Sequence, residues 1–149
     1  MNPLKTLLAG SLLAVALTGA PAWSADVELP QVRQSGNVTY LSGGVSEEDR
    51  VALGPIARDY NLKLVFALRN GEYLSDTDVV VTSGRGQTVL EAKSEGPWFL
   101  ARLPSGQYTI IATSNGQSQR RTVAVGPRGS RTLDFRWSSP EGNVARVRP

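Results

Sequence analysis

The chain has no cysteine and no histidine, and its single methionine is Met1. Without cysteine there is no disulfide, no thiolate nucleophile and no soft metal ligand. Without histidine the usual general base at neutral pH is missing, and so is the commonest metal ligand. Lysine is nearly absent: beyond Lys5 only Lys63 and Lys93 occur. Neither lies beside a strained Gly-x-Ser-x-Gly elbow, so a lysine-activated serine has no support. A strong charge of one sign is also missing, since 16 basic residues against 13 acidic give a net charge of only +3. So mild an excess does not call for nucleic acid. These absences lead us to expect a protein that is not an enzyme and that uses no cofactor and no metal.

Long hydrophobic runs are scarce as well, and the longest is informative. Lys5 precedes an apolar stretch from Leu7 to Leu17, and Ala22 and Ser24 then stand at the −3 and −1 positions of a cleavage site. That order is a secretory signal peptide over residues 1–24. The stretch is short for a membrane span and is interrupted by Gly10, Gly19 and Pro21. Cleavage near Ser24–Ala25 leaves 125 residues with a net charge of +2. That length supports a self-sufficient core without disulfides. No cysteine follows the cut, so the protein is not expected to be a lipoprotein. The expectation is a periplasmic or secreted protein with no stable membrane span after cleavage and no nucleic-acid partner.

Residues 25–61 read as a polar leader followed by a short helix. Ala25 to Gly36 has no periodicity, and Asn37 to Leu41 suits a short strand. In "SEEDRVALGPIARDY" Ser46 and Asp49 resemble a capping box, and the acidic residues 47–49 suit the positive end of a helix. Leu53, Ile56, Ala57 and Tyr60 form one apolar stripe. Gly54-Pro55 predicts a kink, or two short helical turns. From Asn61 the period changes to two. Seven strands follow in "LKLVFALR", "DVVVTS", "TVLEA", "WFLARL", "YTIIATS", "QSQRRTVAV" and "RTLDFRW", and turn signals separate them. Asn115-Gly116 is a hairpin signal. This spacing predicts a mostly β, seven-stranded antiparallel β-sandwich over residues 62–137, preceded by a short helix and followed by a polar tail over 138–149.

The turn between "WFLARL" and "YTIIATS" carries Leu103, Pro104, Ser105, Gly106, Gln107 and Tyr108. A tyrosine just after such a turn can bury its ring and bond its hydroxyl to nearby backbone, so Leu103, Pro104, Gly106 and Tyr108 are read as a structural corner. The segment from Val79 to Val125 resembles the carboxypeptidase regulatory-like domain, on Gly84 or Gly86, Val89, Gly96, Phe99, the Leu103-Pro104-Ser105-Gly106-Gln107-Tyr108 unit and Gly116. The resemblance covers 47 of the 149 residues, about a third of the chain. It implies a transthyretin-like or Ig-like sandwich and an accessory, non-catalytic module of the kind found in short bacterial exported proteins. The 5-hydroxyisourate hydrolases resemble this layout too. Their site uses histidines and a C-terminal Tyr-Arg-Gly-Ser, whereas this chain has no histidine and carries Arg128-Gly129-Ser130 in a turn.

Three groups remain as candidate sites. Asp76 and Asp78 stand two apart, and we read them as a polar turn rather than a Ca²⁺ site. Trp98 is out of step with Phe99 and is either a stacking platform for sugar or packed under the helix, the second being preferred. The last group is arginine-rich. If "QSQRRTVAVGPRGSRTLDFRW" is a hairpin with Val123, Val125, Leu133, Phe135 and Trp137 facing in, Arg120 lies opposite Arg136 and Thr122 opposite Asp134. Facing like charges cost stability, and either an anionic partner explains them or they belong to a solvated face of an arginine-rich chain, the second being preferred. Arg121, Arg128 and Arg131 widen the patch. The expected function is a non-catalytic exported binding or assembly module whose partner is a protein or an acidic envelope polymer. The alternative is a carbohydrate- or envelope-polymer-binding domain that uses exposed aromatics and arginine.

Overall fold

The structure is a computed structural model that describes residues 29–139 together with residue 19. The expected cleavage site, the remainder of the signal segment and the tail from residue 140 lie outside the described residues. The described chain forms β1 (Arg33–Ser35), β2 (Val38–Gly43), α1 (Glu47–Ala57), β3 (Leu62–Leu68), β4 (Thr77–Ser83), β5 (Thr88–Ser94), β6 (Trp98–Arg102), β7 (Gly106–Ser114), β8 (Gln117–Val125) and β9 (Arg131–Trp137). Alternation explains most strands: in β3 the side chains of Leu62, Leu64, Phe66 and Leu68 are all buried. Asn115 and Gly116 both have positive φ, 48° and 76°, as a type I′ turn requires. That turn sets the β7–β8 register from Ser114↔Gln117 to Gly106↔Val125.

The strands make two sheets, ordered β1-β2-β6-β3-β9 and β5-β4-β7-β8. Their inner faces share one core. Leu64, Phe66, Phe99 and Phe135 come from the first sheet, and Val79, Val81, Leu90 and Ile110 from the second. The packing is sandwich-like. Phe66, Phe135 and Trp137 stack in the core with ring centroids 5.8 to 6.2 Å apart.

Three expectations are corrected. There are nine strands rather than the seven of the expected sandwich: the short strand expected at Asn37 to Leu41 is β2, which joins the first sheet through β2–β6 pairing, and β1 arises from the polar leader and pairs with it. β2 is covered on both faces, because Val38 faces the main core while Leu41 lies under α1. The fold is not wholly antiparallel, since β9 runs parallel to β3 from Leu62↔Arg131 to Leu68↔Trp137. "QSQRRTVAVGPRGSRTLDFRW" is not a hairpin within one sheet. β8 is the edge of the second sheet and β9 the edge of the first. Val123 and Val125 enter the core from one wall, and Phe135 and Trp137 from the other. Strands that fill one core from facing walls must lie in different layers, and residues 126–130 carry the chain across.

The helix is also simpler than expected. α1 is continuous, with Pro55 inside its last turn. So near the C-terminus the proline removes one hydrogen bond without breaking the helix. The Asp49 amide donates to Ser46 Oγ and the Ser46 amide to Asp49 Oδ2, each at 3.1 Å, which completes a capping box. Leu53, Ile56, Ala57 and Tyr60 pack with Leu41, Leu100 and Trp98 on the outer face of the first sheet. Leu53 is wholly buried there, worth about 2 kcal/mol by transfer.

Candidate anion-binding site

Because β8 and β9 are the edges of facing sheets, one side of the sandwich is a seam between them. Side chains close it. Gln119 Nε2 donates to the Arg136 carbonyl at 2.6 Å, and Trp137 Nε1 donates to the Gln117 carbonyl at 3.0 Å. The strands thus run side by side without sharing a ladder. Arg121 has the parity of Val123, so it points toward the gap between the sheets. Its guanidinium carbon lies 5.6 Å from the centroid of the Phe135 ring. Arg69, just past the end of β3, is fixed by its amide, which donates to the Trp137 carbonyl at 2.8 Å.

These residues line an open groove of about 720 Å³, where Arg69, Arg121 and Arg136 meet Gln119, Leu133 and Asp134. Ion pairs among the described residues join Arg33 to Glu95 at 2.8 Å and Lys93 to Asp78 at 3.6 Å, and neither involves a groove arginine. Asp134 is the one carboxylate in the lining. It stands beside Val65 on β3, and its charge also acts on Lys63. Burial lowers the Lys63 ammonium pKa from its ordinary value, and Asp134 opposes that shift. The groove therefore presents three planar cationic forks against one carboxylate shared with a lysine. Such forks bind carboxylate or phosphate oxygens in pairs.

The arginine group read from the sequence is divided by the fold. Arg121 and Arg136 meet in the groove. Arg120 does not face Arg136: its partner is Ile111 on β7, while Arg136 lies beside Ala67 on β3. Likewise Thr122 pairs with Thr109, and Asp134 with Val65. Arg128 and Arg131 lie at the opposite end of the seam. Arg128 is flanked by Pro127 and Gly129, which line a smaller cavity of about 240 Å³ together with Arg58 and Arg102. Arg69 was missed, because its approach to Arg136 depends on the parallel β3–β9 pairing.

Trp98, the aromatic candidate, is occupied, and so is the exposed Tyr73. Trp98 is half-buried beside α1, with Lys63 Nζ 3.3 Å above its ring centroid. Tyr73 is 47% exposed, but the Arg50 guanidinium lies 4.8 Å over its ring. Asp78 faces Lys93 across the β4–β5 ladder. At the corner, Tyr108 is buried and its hydroxyl donates to the Pro104 carbonyl at 2.5 Å. Leu103 is buried too, and the Asn61 side chain holds its backbone at both ends. Asn61 Nδ2 donates to the Leu103 carbonyl at 2.7 Å, and Asn61 Oδ1 accepts from the Leu103 amide at 2.9 Å.

A family model described as the Rhizobiales growth-associated tandem repeat domain matches residues 59–135. The match begins just past α1 and runs through β3 to β8 and into β9, ending one residue before Arg136. No curated protein matches the chain. Among solved structures, the Bacillus anthracis TIE protein superposes with a TM-score of 0.42 at 16% identity, over 52% of this chain and 16% of that one.

Proposed function

The chain belongs to the family of Rhizobiales growth-associated tandem repeat domains, and from that premise we propose that it is a non-catalytic, exported β-sandwich module that binds an anionic partner in the cell envelope. One observation carries this reading: Arg69, Arg121 and Arg136 converge on one groove. The partner is a protein or an acidic envelope polymer, consistent with a family described by its association with growth. The finer fold assignment we favour is a carboxypeptidase regulatory-like, transthyretin-like sandwich, supported by the Leu103-to-Tyr108 corner. Export through a signal peptide cut near Ser24–Ala25 supplies the periplasmic or secreted location.

The competing reading, a sugar-binding platform, needs an open ring face. Trp98 and Tyr73 each have a cation over theirs, which favours recognition by charge. The test is retention of the purified protein on immobilised acidic and neutral polymers. Binding to the acidic polymer should appear at low ionic strength and disappear toward 1 M salt, where the screening length falls to about 3 Å. The double variant Arg121→Gln/Arg136→Gln should melt like the parent and lose that retention. Retention that ignores both salt and the double variant would sink the groove as the binding site. Mass spectrometry of the exported protein tests the cleavage, and an intact Met1 in the membrane fraction would contradict it.

A further inference from the structure

The basic residues on the seam side fall into two groups. The first is the groove, with Arg69, Arg121 and Arg136. The second lies at the corner end, where Arg58 and Arg102 line a cavity of about 240 Å³ with Pro127 and Gly129. Arg128 sits between that proline and glycine and is exposed. Arg131 opens β9 at the same end and is held there by its amide, which donates to the Asn61 carbonyl at 2.9 Å. β9 joins the two groups. Arg131 and Arg136 are five residues apart on a regular strand paired throughout with β3, so their Cα atoms are about 17 Å apart. Arg131 has the inward parity of Leu133 and Arg136 the outward parity of Asp134, and a ligand reaches both only along the open edge of β9. The strand is rigid, so that spacing is fixed.

A small anion needs only one such cluster. Two clusters at a fixed separation along one edge match a ligand that carries negative charge along its length. We propose that the anionic partner is a linear polyanion that lies along the β9 edge and engages both clusters at once. This rests on the anion-binding reading of the groove and adds the ligand's shape to it. The carboxylates near the path do not block it. Asp134 is one carboxylate against three arginines in the groove, and Asp59 is the one acid lining the corner cavity, against Arg58 and Arg102. Binding at one cluster makes binding at the second an intramolecular event, provided the ligand reaches. An extended glutamate trimer spans about 10 Å and falls short, whereas a dodecamer spans about 40 Å and reaches.

The test titrates the full-length protein at low salt with glutamate trimer and dodecamer at equal carboxylate concentration, with a lysine dodecamer as the charge control. The dodecamer should bind at least about ten-fold more tightly than the trimer. Arg128→Gln/Arg131→Gln should remove that advantage and leave trimer binding in place. Arg121→Gln/Arg136→Gln should weaken both ligands. Thermal melts of each variant check that it is folded, and these side chains are exposed enough for neutral glutamine to be tolerated. A length advantage that persists in Arg128→Gln/Arg131→Gln overturns the two-cluster proposal, and so does equal affinity for both lengths. Either result leaves the groove reading intact. Failure of both lengths to bind the parent overturns the groove reading, and the proposal with it.

Discussion

Gly96→Ala is the most direct test of how β2 is held against the body of the sandwich. Gly96 is buried in the turn between β5 and β6. A Cβ at this position would press on the Gly43 carbonyl oxygen and lie 2.6 Å from the Gly43 carbonyl carbon and 2.9 Å from its Cα. Ordinary contact for a Cβ begins at 3.4 Å, so relief needs a shift approaching 1 Å between two backbones. Neither backbone is free to move. Gly43 is registered with Trp98 and Ser42 with Phe99 in the β2–β6 ladder. On the other side the Glu95 amide donates to Ser42 Oγ at 3.0 Å, and Ser94 Oγ donates to the Gly96 carbonyl at 2.6 Å. Overpacking of this kind costs about 1–3 kcal/mol, and a clash between two fixed backbones belongs at the upper end. At about 4 °C per kcal/mol for a domain of this size, the melting temperature should fall by roughly 8–12 °C. Gly84→Ala is the control. Its added Cβ meets nothing closer than the Gln107 carbonyl oxygen at 3.5 Å. Denaturant unfolding of both variants separates the cases, with Gly84→Ala expected within about 0.5 kcal/mol of the parent. A Gly96→Ala protein as stable as the parent would refute the claim that this close approach requires glycine.

Tyr108→Phe should cost about 1 kcal/mol for the lost bond to Pro104, and Tyr108→Ala about 3–5 kcal/mol for the emptied corner, both read from urea midpoints. Asn61→Ala should cost about 2 kcal/mol, because both backbone groups of the buried Leu103 lose their partner; Asn61→Asp, which sets a carboxylate oxygen against the Leu103 carbonyl, should be no milder. Thr77 is wholly buried with no hydrogen-bond partner for its hydroxyl among the described residues, so Thr77→Val should raise the urea midpoint by the equivalent of up to about 1 kcal/mol. Burial raises the Tyr60 and Tyr108 hydroxyl pKa values above their ordinary 10.0, so the folded state keeps protons that the unfolded chain releases. Their contribution is then complete below pH 10 and lost as pH rises through the raised values, and Tyr108→Phe should flatten that alkaline decline in a pH series of unfolding midpoints.

The strands from Leu62 to Trp137 were legible because each has one apolar face, and period two survives in such strands. The predicted segments fall within two residues of β3 to β9 at either end. Asn115-Gly116 was legible for a local reason, since few other pairs accept two positive φ values in succession. What was hidden depends on layers. β1 is three polar residues, Arg33–Ser35, with no apolar face to mark it, and only its pairing with β2 makes it a strand. The parallel pairing of β9 with β3 joins residues about seventy positions apart, with no local signal. The Asn61 bridge to Leu103 spans 42 positions. It replaces strand hydrogen bonds with a side-chain amide, and the composition of "DYNLK" does not reveal that. The candidate groove was half legible: Arg121 and Arg136 were in the patch, but Arg69 entered it only through topology.

Charge on a sheet edge has an ordinary use, since charged side chains discourage edge-to-edge association. That use requires charge but not one sign, and the two sides of this sandwich differ in sign. On the β1–β5 side, Arg33 pairs with Glu95 and Lys93 with Asp78. Each basic residue of these two strands is answered by a carboxylate, and the exposed Glu91 on β5 keeps the signs mixed. On the β8–β9 side, Arg69, Arg121 and Arg136 share a groove with a single carboxylate. Three guanidinium groups brought together repel one another, and mixed signs would have guarded the edge equally well. Edge protection therefore accounts for the charge on this side but not for its sign. A ligand that supplies the missing negative charge accounts for both. The same reasoning extends to the sheet faces. α1 covers part of the outer face of the first sheet, and the outer face of β8 offers Arg120 beside Thr122 and Ala124 rather than a cluster. The seam is the surface where the fold concentrates unanswered charge, so replacing Arg121 and Arg136 with glutamine should relieve repulsion as it removes binding. A double variant that loses binding while holding or gaining thermal stability is the outcome this argument requires. A variant that loses both would mean that the arginines hold the seam together through packing on Phe135, and the sign of the charge would then need another cause.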